Sequence, residues 1–306
     1  MTLSLENKKS RIILLFFIAV FVATLMPVFA DATRNIVRFT EGMFDDILMT
    51  DTAESVKNIL VSNPRTTYPE VWDMITGIVD NVIIPASYAV LGLYFVTSIV
   101  RWGVRFEGIT MEGFFKPFVS FLAAIICIQY LPYVVPTIIN AAGTFATQIA
   151  NAASVTGNTG DLAATKDNIK SMSTSMWSAL VVTGQLFLPW IVAKALSFYM
   201  KVLAYSTVIE IFVRIVFMPF SFGDLCTRGL DGFGFRYVKA FAAVCLKGAI
   251  MVLIAITAGF FTTAAFGAVD RPTDWLKMIA LMLVINASAA KMMASAGNFS
   301  REALGV

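Results

Sequence analysis

The sequence predicts an all-α fold: a multi-pass transmembrane helical bundle with five or six spans after a cleavable signal peptide. Three observations predict it. Apolar stretches recur at roughly 12–29, 82–102, 114–135, 178–200, 203–222 and 238–265, with a weaker seventh near 276–293. Several reach the roughly 20 residues that cross a 30 Å hydrocarbon core, where only a helix hides every backbone amide of such a run. The composition is 58% hydrophobic and 14% charged, against the usual quarter of charged residues in soluble domains. Finally, the short basic segment around the first loop has the asymmetry expected of a cytoplasmic turn.

Charge and residue inventory narrow the function. The 23 basic and 20 acidic residues nearly balance, which speaks against nucleic-acid binding as a main activity. Histidine is absent, removing the commonest metal ligand and general base. Cys127, Cys226 and Cys245 show no Cys-x-x-Cys spacing and read as small apolar fillers. There is no nucleophile elbow, phosphate-cradling glycine loop or metal-ligand cluster, and Gly232-Phe233-Gly234 reads as a loop marker. The chain is therefore expected not to be an enzyme and to need no cofactor or metal.

Taken in order, residues 1–30 read as a signal peptide. Lys8, Lys9 and Arg11 precede the apolar run from Ile12 to Leu25, and Val28 and Ala30 stand where a signal peptidase reads small residues. An uncleaved first span is the alternative. Residues 31–80 form an extracytoplasmic amphipathic segment, its apolar positions including Ile36, Phe39, Met43, Phe44 and Ile47. Asn63-Pro64 and Tyr68-Pro69 break it. It lies on the membrane or a neighbouring subunit, or it is a solvated leader.

Residues 81–136 hold the first two transmembrane helices. Arg101, Arg105 and Lys116 flank the turn between them and place it inside the cell. Residues 137–175 form an extracytoplasmic helix, broken from the span at Pro132 and Pro136, and a polar loop over 154–175. The remainder, 176–306, is a C-terminal transmembrane region. Its stretch 178–222 either crosses twice or crosses once and re-enters; the positive-inside rule favours five spans and a cytoplasmic C-terminus.

Charges interrupt the apolar stretches at Lys194, Lys201, Glu210 and Arg214 within 178–222 and at Lys247 within 238–265, and Lys201, Glu210, Arg214 and Lys247 are the four candidates for intramembrane pairing or a conduit. Glu210 and Arg214 share a helix face at four residues' spacing. An isolated charge at mid-bilayer costs about 2.5–3.5 kcal/mol on insertion scales, so Glu210 is expected to pair with Arg214 or Lys247. The group either lines a conduit or subunit interface, or holds helices together. Small residues such as Ala243, Gly248, Ala249, Ala287, Ser288, Ala290 and Ala294 permit close packing within the chain or between copies.

The segments "RFEGITMEGFFKPFVSFLAAI" and "IEIFVRIVFMPFSFGDLCTRGLDGFGFRYVKAFAAVCLKGAIMVLIAI", in this order after a leader and an exterior segment, resemble the TrbL-like polytopic inner-membrane subunits of type IV secretion and conjugal transfer systems, particularly of Gram-positive mobile elements. The resemblance covers most of 78–265 and departs from many relatives in the short C-terminal part. It implies a scaffold or channel subunit of a DNA-transfer machine in the bacterial cytoplasmic membrane. It further implies other secretion-system subunits as partners, several copies about an axis, and transported DNA or protein. A secondary transporter or ion channel for a small solute is the alternative, with Glu210, Arg214 and Lys247 binding substrate and Pro85, Pro132, Pro189 and Pro219 marking broken helices.

Overall fold

The computed structural model describes residues 32–48, 50–61, 63–104, 111–154, 176–224, 232–267 and 275–306. The signal peptide over 1–30, the polar loop over 155–175, Cys226 and Arg228 lie outside the described residues. Among the described residues all regular structure is helical: α1 (Ala32–Leu48), α2 (Thr50–Val61), α3 (Pro64–Thr67), α4 (Pro69–Ile78), a π turn (Val79–Ile83), α5 (Ile84–Val104), α6 (Met111–Ser154), α7 (Met176–Ser221), a 3₁₀ turn (Phe222–Asp224), α8 (Phe233–Gly267) and α9 (Trp275–Leu304). Among the described residues, five helical stretches are long and apolar enough to cross a membrane: Pro69–Arg101, Phe118–Ala152, Leu180–Asp224, Phe233–Thr262 and Leu276–Leu304.

One expectation holds and one is corrected here. The stretch 178–222 is continuous helix up to Ser221, the end of α7, with Phe222 opening the 3₁₀ turn. Among the described residues there are five candidate spans, the number that the positive-inside rule favours. The correction is that α6 does not break at Pro132 and Pro136. It runs unbroken for 44 residues, about 66 Å at 1.5 Å per residue. Each proline removes one N–H, which leaves the carbonyls of Ile128 and Pro132 without their helical donors. Ending the helix inside an apolar environment would expose more backbone than that, each unsatisfied group costing several kcal/mol. The same reasoning covers Pro189 and Pro219 in α7, so the broken helices invoked for a transporter are not present at these positions.

The chain divides into two compact units, residues 1–48, 158–194 and 263–283, and residues 49–157, 195–262 and 284–306. In the first, Ile36, Met43, Phe44 and Ile47 form the buried side of α1. The Thr40 and Thr183 hydroxyls share a 2.8 Å hydrogen bond that ties α1 to α7. The apolar face of α1 is thus covered within this chain.

The second unit has a core of Trp72, Ile75 and Val79 before α5, Leu91 from α5, Ala124 to Ile139 from α6, Val208 to Met218 from α7, and Phe241, Val244 and Cys245 from α8. Farther along, Ala146 and Ala150 of α6 meet Ala249 and Val252 of α8. Large apolar side chains on the other faces are exposed, among them Leu93, Val119, Ile126, Ile209, Val213 and Phe217. Such faces are stable against lipid tails, which are as apolar as the side chains.

The turn into α8 is packed at close range. A Cβ on Gly234 would lie 3.0 Å from the Ser221 carbonyl oxygen and 3.3 Å from the Phe222 Cα, both rigid backbone atoms. Gly234→Ala is therefore expected to cost about 1–3 kcal/mol through overpacking. Gly259 of α8 has nothing within 4 Å of the added carbon. Gly259→Ala should hold or raise stability by up to about 1 kcal/mol through helix propensity. Thermal unfolding in detergent compares the two; equal stabilities would contradict the tight turn.

Candidate functional site

Three of the four charged residues singled out in the sequence come together in the second unit. Glu210 and Arg214 stand one turn apart on α7, and Arg214 donates to Glu210 Oε1 through Nε at 3.2 Å and Nη2 at 3.0 Å. Lys247 on α8 reaches the other oxygen, Oε2, at 3.1 Å. One carboxylate therefore bridges two cations on two helices. The side chains are 31% (Glu210), 20% (Arg214) and 17% (Lys247) exposed, so their attraction is less screened than that of solvated surface pairs and is set against a larger desolvation cost.

Neighbouring groups fix the geometry. The Tyr237 hydroxyl of α8 donates to the Arg214 backbone oxygen at 3.1 Å. Thr207 Oγ1 donates to Leu203 O at 3.0 Å and meets Met251 Sδ of α8 at 3.5 Å. On α9, Gly297 lies beside the Lys247 stem; a Cβ there would stand in ordinary contact, 3.6 Å from Lys247 Cδ. The Lys247 side chain is thus mostly buried, with its ammonium on the carboxylate. Lys201 does not join. It lies nine residues before Glu210, about 14 Å along α7, and makes no ion pair among the described residues.

A second polar cluster was not read from the sequence. In the first unit, Asp46 of α1 accepts from Trp190 Nε1 at 2.8 Å and from Lys194 Nζ at 2.7 Å, both on α7. Trp190 and Lys194 are one turn apart, which was visible in the sequence. Their partner is more than 140 residues away, which was not.

Two cavities lie in the second unit. One, of about 260 Å³, is lined by Leu60, Val61 and Asn63, by Asn140, Gly143, Thr144 and Thr147 of α6, by Thr207 of α7, and by Cys245 and Gly248 of α8. The other, of about 290 Å³, lies where Arg65, Asp73, Thr76 and Asp80 face Pro132 and Pro136. Its polar wall accompanies the two prolines whose absent N–H groups leave α6 carbonyls without helical donors. Among the described residues no group of His, Cys, Asp and Glu side chains is arranged to hold a metal ion. Outside the spans, burial followed by the nearby Tyr205 pushes the Tyr68 hydroxyl above its ordinary value.

A family model described as TrbL/VirB6 plasmid conjugal transfer like protein matches residues 49–219, more than half of the chain. The chain belongs to this family. No curated protein and no solved structure matches it. The matched region runs from the start of α2 almost to the end of α7, and so includes Lys201, Glu210 and Arg214. Lys247 lies beyond it, on α8, as does the part of the quoted sequence resemblance after residue 219.

The bridged geometry makes the carboxylate the limiting partner. In Glu210→Gln, Arg214 and Lys247 lose their shared counter-charge, a loss of about 1–3 kcal/mol for a charged group left without its partner. The expected result is a lower melting temperature in detergent and less protein in the membrane. Neutralising Lys247 as well, with Lys247→Met, should restore part of the loss. Wild-type stability in both variants would show that the bridge contributes nothing to the packing of α7 on α8.

Proposed function

We propose that this chain is a scaffold and conduit subunit of a conjugal transfer machine in the bacterial cytoplasmic membrane. Its membership of the TrbL/VirB6 family, with five helices suited to crossing a bilayer, is the observation that carries the reading. Several copies surround an axis and contact other subunits of the transfer system, and DNA or protein passes along the assembly. No catalytic step and no small-molecule cofactor is assigned to it.

The charged bridge supports the scaffold part of this role. It joins α7 to α8 by charge-assisted contacts, which have defined geometry where apolar packing alone allows sliding. Small residues on α9, including Ala287, Ser288 and Ala294, allow a neighbouring helix to approach closely. In this reading the N-terminus is external, residues 103–113 are cytoplasmic, 154–175 are external, and five crossings leave the C-terminus inside. The basic residues Arg101, Arg105 and Lys116 beside the first turn support that orientation.

Gentle detergent extraction followed by native mass measurement should return a homo-oligomer. Deletion of the gene should abolish conjugation, and the wild-type chain supplied in trans should restore it. A strictly monomeric species with normal conjugation in the deletion strain would remove both the oligomer and the transfer role.

A further inference from the structure

The cavity of about 290 Å³ in the second unit has a wall of mixed charge. Asp73, Thr76 and Asp80 line it from one side of the helix that leads into α5, at a spacing that keeps them on a shared face. Arg65 lines the same space, and the buried side chains of Trp72, Val79, Leu131 and Val135 complete it. Arg65, Asp73 and Asp80 are all exposed, and among the described residues none of the three makes an ion pair. Opposite charges that share a cavity without closing on each other leave room for a group that carries both signs.

The acceptors on this wall outnumber the carboxylates. Pro136 has no N–H to give the Pro132 carbonyl, and both residues line the cavity. Thr76 Oγ1 donates to the carbonyls of Trp72 at 3.0 Å and Asp73 at 3.2 Å, so its lone pairs stay available. Two carboxylates, a hydroxyl and a carbonyl suit a cation with several N–H donors. The π turn Val79–Ile83 also opens at this wall, and such turns occur frequently at functional sites.

Depth decides what the ligand is. The apolar stretch 82–102 begins just past Asp80, and the stretch 114–135 ends just before Pro136. Each has the roughly 20 residues that fill a 30 Å hydrocarbon core, so both helices place the cavity where the chain passes into the headgroup layer. Tyr130 and Tyr133, exposed on α6, stand at the depth of an aromatic belt. The volume is near the lower end of the about 300–1,000 Å³ usual for ligand pockets, which suits a headgroup better than a whole lipid.

We propose that this cavity binds the zwitterionic headgroup of an amine-bearing phospholipid, a phosphate joined to a primary ammonium. Arg65 takes the phosphate, whose oxygens match the guanidinium fork. Asp73 and Asp80 take the ammonium, with the Thr76 hydroxyl and the Pro132 carbonyl as further acceptors. A headgroup held there touches both α4 and α6, and so ties the entry of the first span to the exit of the second. The trimethylated ammonium of a choline lipid has no N–H and makes none of these bonds.

The test uses the full chain in detergent micelles doped with equal amounts of phosphatidylethanolamine and phosphatidylcholine, with native mass spectrometry counting the lipids retained. The wild type should retain the ethanolamine lipid about tenfold over the choline lipid, the scale of one charge-assisted hydrogen bond. Asp73→Asn with Asp80→Asn should bring the two lipids level. Glu70→Gln, on the same helix but off the cavity wall, should leave the preference intact. Arg65→Gln should lower retention of both lipids alike, since both carry the phosphate. Equal retention by the wild type, or a preference that survives in the double variant, would overturn the site. Retention unchanged by Arg65→Gln would overturn the phosphate half of it. Uptake of soluble O-phosphoethanolamine that depends on Asp73 and Asp80, without any lipid preference, would assign the cavity to a free zwitterion and overturn the lipid.

Discussion

The constraint on which the rest of this structure depends is that backbone polar groups have no water to turn to inside an apolar layer. Helices must therefore run without interruption wherever the chain is surrounded by lipid or by its own apolar side chains. The consequence is seen most clearly in α6 and α7, of 44 and 46 residues, which carry prolines through their interiors. In water an interior proline costs about 3 kcal/mol and usually ends a helix. Here the alternative is several unsatisfied groups at several kcal/mol each, and the helix continues.

Long unbroken helices then determine how charge is handled. Glu210, Arg214 and Lys247 cannot leave the helices that carry them, so they are accommodated by one another. The carboxylate has two oxygens and each takes a different cation, Arg214 on the same helix and Lys247 on the next. Asp46 meets Trp190 and Lys194 in the same way, one carboxylate serving two donors on one turn of α7. In both cases charge is placed where it fixes one helix against another, which suits a subunit whose family membership assigns it to a membrane-embedded transfer machine.

Much of this could be read from the sequence, and the limits were physical. Hydropathy located the apolar helices because a run such as that from Val82 to Trp102 has one solution in a bilayer. The Glu210–Arg214 contact followed from helical spacing, and Lys247 was implicated as a charge in an apolar run. Lys201 looked the same by that criterion, yet stands apart, because spacing alone does not say which face meets α8. The breaks expected at Pro132 and Pro136 came from a rule weighted for water. The covering of α1 could not be foreseen, since Thr40–Thr183 and Asp46–Trp190 join positions more than 140 residues apart. An amphipathic face shows that something covers it, not what.

The continuity of α6 through its two prolines is the claim most directly open to measurement. Phe118 and Phe145 are both exposed and both lie on this helix, one on each side of Pro132 and Pro136. Spin labels on cysteines at these positions, in a background without native cysteines, report the separation by pulsed electron resonance in lipid nanodiscs. An unbroken helix of 27 residues between them predicts a distance near 40 Å, about 1.5 Å per residue. A chain that turned back at Pro136 would place the labels within about 25 Å on the same rise per residue, and that result would contradict the account.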